Sequence, residues 1–183
     1  MLFERLKQLL ATAELADLGP RVRSGTTSEA ALNAQIDPLL SLGSGSERVQ
    51  DLIRGTLLLW HDHLDAAHSI AQEIEDADGS LLHAIMHRRE PDCGNAKYWF
   101  RRVGKHATFP ELAGRAAALL GSGHAALAGR LVRNGVWDPF AFVDACEEQA
   151  RKGNTDAGRK ILQEVQHSEL TVFLEHLCST LYG

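Results

Sequence analysis

The chain has 183 residues, of which 44% are hydrophobic, 23% charged and 6% aromatic, with a formal net charge of -5. That length suits one domain with at most an appendage, and that apolar fraction argues against global disorder. The mild acidity argues against a general nucleic-acid coat, and no stretch approaches the ~18–20 uninterrupted apolar residues of a membrane span. Alanine (24) and leucine (27) outnumber valine, isoleucine and threonine taken together (22), which favours an all-α fold over a strand-rich one.

Residues 1–18 carry Leu2, Leu6, Leu9, Leu10 and Ala13 at helical spacing. Charges every few residues deny this segment a signal-peptide core, so it reads as an amphipathic first helix. Gly19-Pro20 ends the pattern, and a helix over 29–36 is expected to stop before Pro38, with one more turn at Leu39–Leu42. Gly43-Ser44-Gly45-Ser46 reads as a linker, so residues 1–45 are expected to form an arm packed on a main body of 46–183.

In that body, helical patterns cover 47–60, 63–75, 80–89 and 94–103. Asp92 is placed to cap the last of these and Gly104 to close it. Helices follow over 111–120 and 124–133, separated by Gly121-Ser122-Gly123. Asp138-Pro139 opens another, which runs to Lys152 and stops at Gly153. Asn154-Thr155 is a candidate cap, and a last helix is expected to restart at Ser168. Eight or nine helices result. The pairing of 47–60 with 63–75, and of 80–89 with 94–103, suggests antiparallel hairpins of a loosely tetratricopeptide-like kind.

Chemistry concentrates in residues 61–106. Six of the nine histidines lie there: His61, His63, His68, His83, His87 and His106. Its second half, 83–106, holds six Lys/Arg against two acids, a local +4 set against -9 over the rest of the chain. If one helix includes His61, then His61, Asp65, His68 and Gln72 fall along a single stripe. His83 and His87 stand at i, i+4 with Glu90 a turn further on. Histidine pairs at that spacing chelate metals, so His61, His68, His83 and His87 are candidate ligands for a divalent metal. Asp65 and Glu90 are the candidate catalytic carboxylates. The bland alternative is that these histidines bond their neighbours at a helix boundary.

The arginine pairs Arg88-Arg89 and Arg101-Arg102 suit bidentate binding of phosphate or carboxylate. The helix start at Gly94-Asn95 offers backbone N–H groups to an anion, and Tyr98 and Trp99 offer stacking faces. The competing reading pairs the arginines with nearby acids and buries Trp99 and Phe100 in the core. So small a basic patch disfavours nucleic acid as a partner. Cys93, Cys146 and Cys178 form no CxxC pair, which indicates neither a disulfide framework nor a zinc knuckle and leads us to expect a reducing cytoplasm. Cys93 precedes a helix, where a thiolate is stabilised, with histidines and arginines near in sequence, but it sits in a turn that could equally carry any small residue, so nucleophilic catalysis gets little support.

The string GSLLHAIMHRREPDCGNAKYWFRRVGKHATFPEL, with HDHLDAAHSIAQEIE before it, resembles an uncharacterised family of helical proteins found in bacteria and fungi. The resemblance covers about 61–112. The matching positions are His61, His68, Gln72, His83, His87, Arg88, Arg89, Glu90, Asp92, Asn95, Tyr98, Trp99, Arg101, Arg102 and His106. Leu81-Leu82 stands where an aromatic residue is expected. The resemblance implies a helical fold and brings no activity with it.

Three functions compete at this stage. One is a binding module for a small anionic molecule or peptide terminus, anchored by Arg88, Arg89, Arg101 or Arg102 in a pocket shared with His61, His68, Gln72, His83, His87, Glu90, Asp92, Asn95, Tyr98 and His106. Another is a metal-assisted hydrolase using the same pocket, with Glu90 or Asp65 as base. The third is a structural helical protein whose polar block is a buried hydrogen-bond network.

Overall fold

The computed structural model describes residues 2–41, 45–152 and 156–181. Among these, ten α-helices and one two-residue-per-strand hairpin make an all-α fold. The helices are α1 Leu2–Gln8, α2 Glu29–Leu40, α3 Glu47–Trp60, α4 Leu64–Ala71, α5 Ala77–Arg89 and α6 Cys93–Val103. They continue with α7 Phe109–Leu120, α8 Ala125–Leu131, α9 Pro139–Arg151 and α10 Asp156–Thr180. Between α8 and α9 lie β1 Val132–Arg133 and β2 Val136–Trp137.

Local signals set several of these boundaries. Asp92 caps α6 by accepting the Asn95 N–H at 3.0 Å, and Asp138 caps α9 by accepting that of Ala141 at 3.0 Å. Asp76 does the same for α5 through Gly79, so α5 starts three residues before the expected Ser80. Gly79 has little room there, because a Cβ would collide with the Ile74 carbonyl.

Four expectations are corrected. The first helix stops at Gln8 rather than near residue 18. Backbone carbonyls that a longer helix would use are taken elsewhere, Leu9 O by His61 Nε2 at 2.8 Å and Glu14 O by Arg23 Nη1 at 2.5 Å. Second, α2 runs through Pro38 to Leu40, where burial of Leu39 and Leu40 outweighs one missing hydrogen bond in the last turn. Third, the helix expected over 124–133 ends at Leu131, and Asn134-Gly135 turns the chain into a hairpin. Both residues have positive φ, 55° and 76°, as a two-residue hairpin turn of the primed kind requires. Fourth, α10 passes Ser168 unbroken for 25 residues, because no breaker interrupts it and Val165, Leu170, Phe173 and Leu174 face the core on both sides of that serine. Leu42, the Gly43-Ser44 part of the expected linker, Gly153 and the Asn154-Thr155 cap lie outside the described residues.

The larger apolar cluster joins α1 and α2 (Leu6, Leu32, Ile36) to α3, α5 and α10 (Leu52, Leu82, Phe173). A second cluster binds α7, α8, the hairpin, α9 and the first half of α10, around Leu120, Trp137 and Phe142. α10 contributes to both. α5 is buried along nearly its whole length and packs on α3, α4 and α6. Its histidines and arginines are therefore interior side chains, and burial obliges each to find a partner.

Candidate metal centre

The arginine half of the polar block is internal. Arg88 is buried and donates from Nη1 to Glu169 Oε1 at 3.1 Å and from Nη2 to Gln166 Oε1 at 3.4 Å. Its guanidinium lies over the Phe142 ring, 4.3 Å from the centroid. Arg89 is also buried and donates to Asp62 Oδ1 at 2.6 Å and to the Leu59 carbonyl. The other oxygen of Asp62 accepts both the backbone N–H (2.9 Å) and Nε (2.8 Å) of Arg23. Burial alone would raise the Asp62 pKa, but these hydrogen bonds and charges outweigh it and hold the carboxyl below the usual range. Arg88 and Arg89 are thus committed to carboxylates of the fold, while Arg101 and Arg102 are exposed on α6.

The expected stripe through His61 does not form. α3 ends at Trp60, Asp62 takes a left-handed φ of 70°, and α4 starts only at Leu64. His61 turns away to the N-terminal segment, where Nε2 donates to Leu9 O and Nδ1 accepts the Thr27 N–H at 3.2 Å. Asp65 and Gln72 are exposed, and of that set only His68 reaches His83 and His87.

His68 meets His83 and His87 where α4, α5 and α6 converge. Ring centroids are 4.8 Å apart for His68–His83 and His83–His87, and 5.2 Å for His68–His87. One ring nitrogen from each of the three lies within 4.8 Å of the others. Trp99 of α6 stacks on His83 at 3.9 Å, and the Arg102 guanidinium lies over the Trp99 ring, 5.2 Å from its centroid. Tyr98 packs edge-on to Trp99 and is 48% exposed.

The ring nitrogens are not equivalent. His87 Nδ1 lies 2.9 Å from Glu90 Oε2, and a carboxylate can only accept, so Nδ1 carries the proton. Nε2 then holds a lone pair, which accepts from the Asn95 amide at 3.1 Å. His83 Nδ1 is buried with no hydrogen-bond partner. Burial, followed by the neighbouring His87 and His68, pushes the His83 pKa down to about 4, so the ring is neutral at physiological pH. Burial likewise lowers that of His87. Neutral imidazoles with inward lone pairs are what a borderline metal ion takes, and a carboxylate on the outer N–H is the usual support of such a ligand.

A second group, Asp78, His106 and His176, has similar composition and different logic. The Thr108 N–H points at His106 Nδ1, 3.3 Å away, so Nδ1 is the acceptor and Nε2 bears the hydrogen. His106 Nε2 and His176 Nε2 each lie 3.0 Å from the same Asp78 oxygen, while Arg48 binds the other at 2.7 Å. Burial would raise the Asp78 pKa, but hydrogen bonds from His106 and Arg48 and the His176 charge hold it well below the usual carboxylate range. This is a clasp joining α3, α5, α10 and the α6–α7 loop, in which the ring nitrogens that face Asp78 are already engaged by its carboxylate.

Beside the three-histidine cluster runs a groove of about 650 Å³ that Glu90 also lines. Glu29, Asp62, Asp65 and Asp92 share its wall, with Asp62 already neutralised by Arg23 and Arg89. Cys93 lies elsewhere, and burial raises its pKa, the opposite of what a thiolate nucleophile needs.

Sequence reasoning names His68, His83, His87, Glu90 and Asn95, and these come together. It offers Trp99 as a stacking face for a planar ligand or as a core residue, and the ring stacks on His83 instead. It also misses Asp62, Asp78, Arg23, Glu169 and His176, whose partners are distant in the chain. Comparison with family models, curated proteins and solved structures gave no match. No helix of the described residues is long and apolar enough to cross a membrane.

Proposed function

We propose that this chain holds one divalent transition-metal ion through His68, His83 and His87 and uses it in a hydrolytic reaction. The observation that carries the proposal is the nitrogen set itself. Three ring nitrogens lie within 4.8 Å of one another, and one ring, His83, is buried with an unpartnered nitrogen. An orphaned buried polar atom costs about 1–3 kcal/mol, and a metal ligand bond would remove that cost.

Glu90 supports the set by fixing the His87 tautomer, which makes it an orienting group rather than the base its position in the sequence suggests. Asn95 occupies the His87 lone pair and must yield it when metal enters. Trp99 and the packed α5 shield one side of the cluster. Three protein ligands leave further positions open, and a metal so held supplies a Lewis acid and a bound water of lowered pKa. Asp65 and Asp92 line the groove with Glu90, and in this reading one of them serves as the base.

The anion-binding reading has less support. Two of its four arginines are spent on Glu169 and Asp62, and the groove next to the cluster is lined by carboxylates. The resemblance of residues 61–112 to a helical family carries no activity and adds nothing to the choice.

The test is thermal unfolding of the untagged, chelator-stripped protein with zinc, manganese or iron(II) added. At 100 times Kd a ligand stabilises by about 2.7 kcal/mol, which raises Tm by roughly 5–10 °C for a chain of this size. A rise of that order with one metal supports the proposal, and no rise with any of them overturns it.

A further inference from the structure

Beyond the metal proposal, and independent of it, the structure holds a second cleft on the other side of α6. It measures about 680 Å³ and lies between the α6–α7 loop and the β1–β2 hairpin. Phe109 and Pro110 form one wall, and Val136, Trp137 and Phe140 form the other. Val136 is 66% exposed, unusual for a β-branched apolar residue in a paired strand. The volume falls within the range of small-molecule sites, which are apolar with a few placed polar groups.

The polar groups of this cleft sort cleanly. Asp138 is engaged as the α9 cap, and His106 is engaged by Thr108 and Asp78. Lys105 and Arg133 also line the cleft, and neither side chain forms an ion pair or hydrogen bond with the described residues. Two unpaired cations flanking an apolar cleft are complementary to an anion with an apolar body. Arginine and lysine suit the acceptor-only carboxylate.

We propose that this cleft binds a small amphipathic carboxylate, an organic acid whose apolar chain or ring lies against Phe109, Val136 and Phe140 and whose head reaches Lys105 and Arg133. The apolar body supplies the burial and the two cations supply the selection by charge.

Calorimetric titration of the untagged full chain with octanoate, octanol and octylamine, each below its aggregation concentration, tests the assignment. The expected result is binding of octanoate, with octanol and octylamine weaker by about tenfold or more, the worth of a charge-assisted hydrogen bond. Lys105→Gln and Arg133→Gln should each weaken octanoate by a similar factor while leaving the circular dichroism spectrum unchanged. Both cations are exposed, so their replacement leaves the fold intact. Failure of octanoate to bind, or equal binding of all three compounds, overturns the proposal. So does octanoate binding that neither cation variant alters. Concentration-dependent dimerisation abolished by Val136→Glu would assign the cleft to a second copy of the chain, which also overturns it.

Discussion

Glu90 Oε2 sits 2.9 Å from His87 Nδ1, one turn away on the same segment, and so decides which nitrogen of His87 keeps its lone pair. A carboxylate at the outer nitrogen turns the inner one into a ligand. Glu90→Gln keeps the size and can reverse the tautomer, and it should cost metal affinity by about 10–100-fold with little change in Tm of the stripped protein. Competition against a chelator of known affinity measures it. Unchanged affinity would leave Glu90 as an ordinary surface partner of His87.

Asp62 holds two arginines and the backbone at once, with its side chain fully buried. Removal of one member of such a group strands buried charge, so Asp62→Ala should destabilise by about 3–5 kcal/mol. The pH dependence follows from the depressed pKa of Asp62. The folded state releases the proton more readily than the unfolded chain. The stabilisation is therefore present above the ordinary aspartate pKa of about 3.9, and it is lost as pH falls through the depressed folded value. Urea unfolding between pH 7 and pH 2 should show that loss in the wild type. A slope unchanged in Asp62→Asn would count against this assignment.

Arg88 and Glu169 form a buried pair that joins α5 to α10. Arg88→Ala or Glu169→Ala alone should cost about 3–5 kcal/mol. Arg88→Met combined with Glu169→Leu should recover much of that, because both charges leave the interior together. A double-mutant cycle by chemical denaturation gives the coupling, and purely additive losses would show that the two do not act as a pair.

Gly79 stands in the first turn of α5, where an added Cβ would meet both the Ile74 carbonyl and the Ile74 side chain. Backbone cannot give way as a flexible side chain does. Gly79→Ala should destabilise by about 1–3 kcal/mol, and the more if the start of α5 shifts. Thermal unfolding measures this, and a neutral result would place the α4–α5 turn further from α5 than described.

What was legible in the sequence is what short-range chemistry decides. Asp92 and Asp138 announce the starts of α6 and α9, and the i, i+4 spacing of His83 and His87 puts them side by side. The hairpin is also written locally, in Asn134-Gly135, but an Ala/Leu-rich approach suggests helix up to that point. Other features depend on partners far along the chain. Asp62 finds Arg23 39 residues away, Arg88 finds Glu169 81 residues away, and His176 finds Asp78 98 residues away. Charge counting gives a cationic patch at 83–106, yet two of its arginines face acids from elsewhere in the chain, Asp62 in the α3–α4 turn and Glu169 on α10. His61 reads as a ligand only while α3 and α4 are one helix, and the left-handed Asp62 separates them.

Cobalt(II) titration of the chelator-stripped, untagged protein tests the three-histidine assignment most directly. Histidine nitrogens give bound cobalt visible absorption that reports both stoichiometry and donor set. The assignment predicts saturation at one equivalent, with the bands lost in His83→Ala while its circular dichroism spectrum is retained. No bands in the wild type, or bands that survive in His83→Ala, would contradict it.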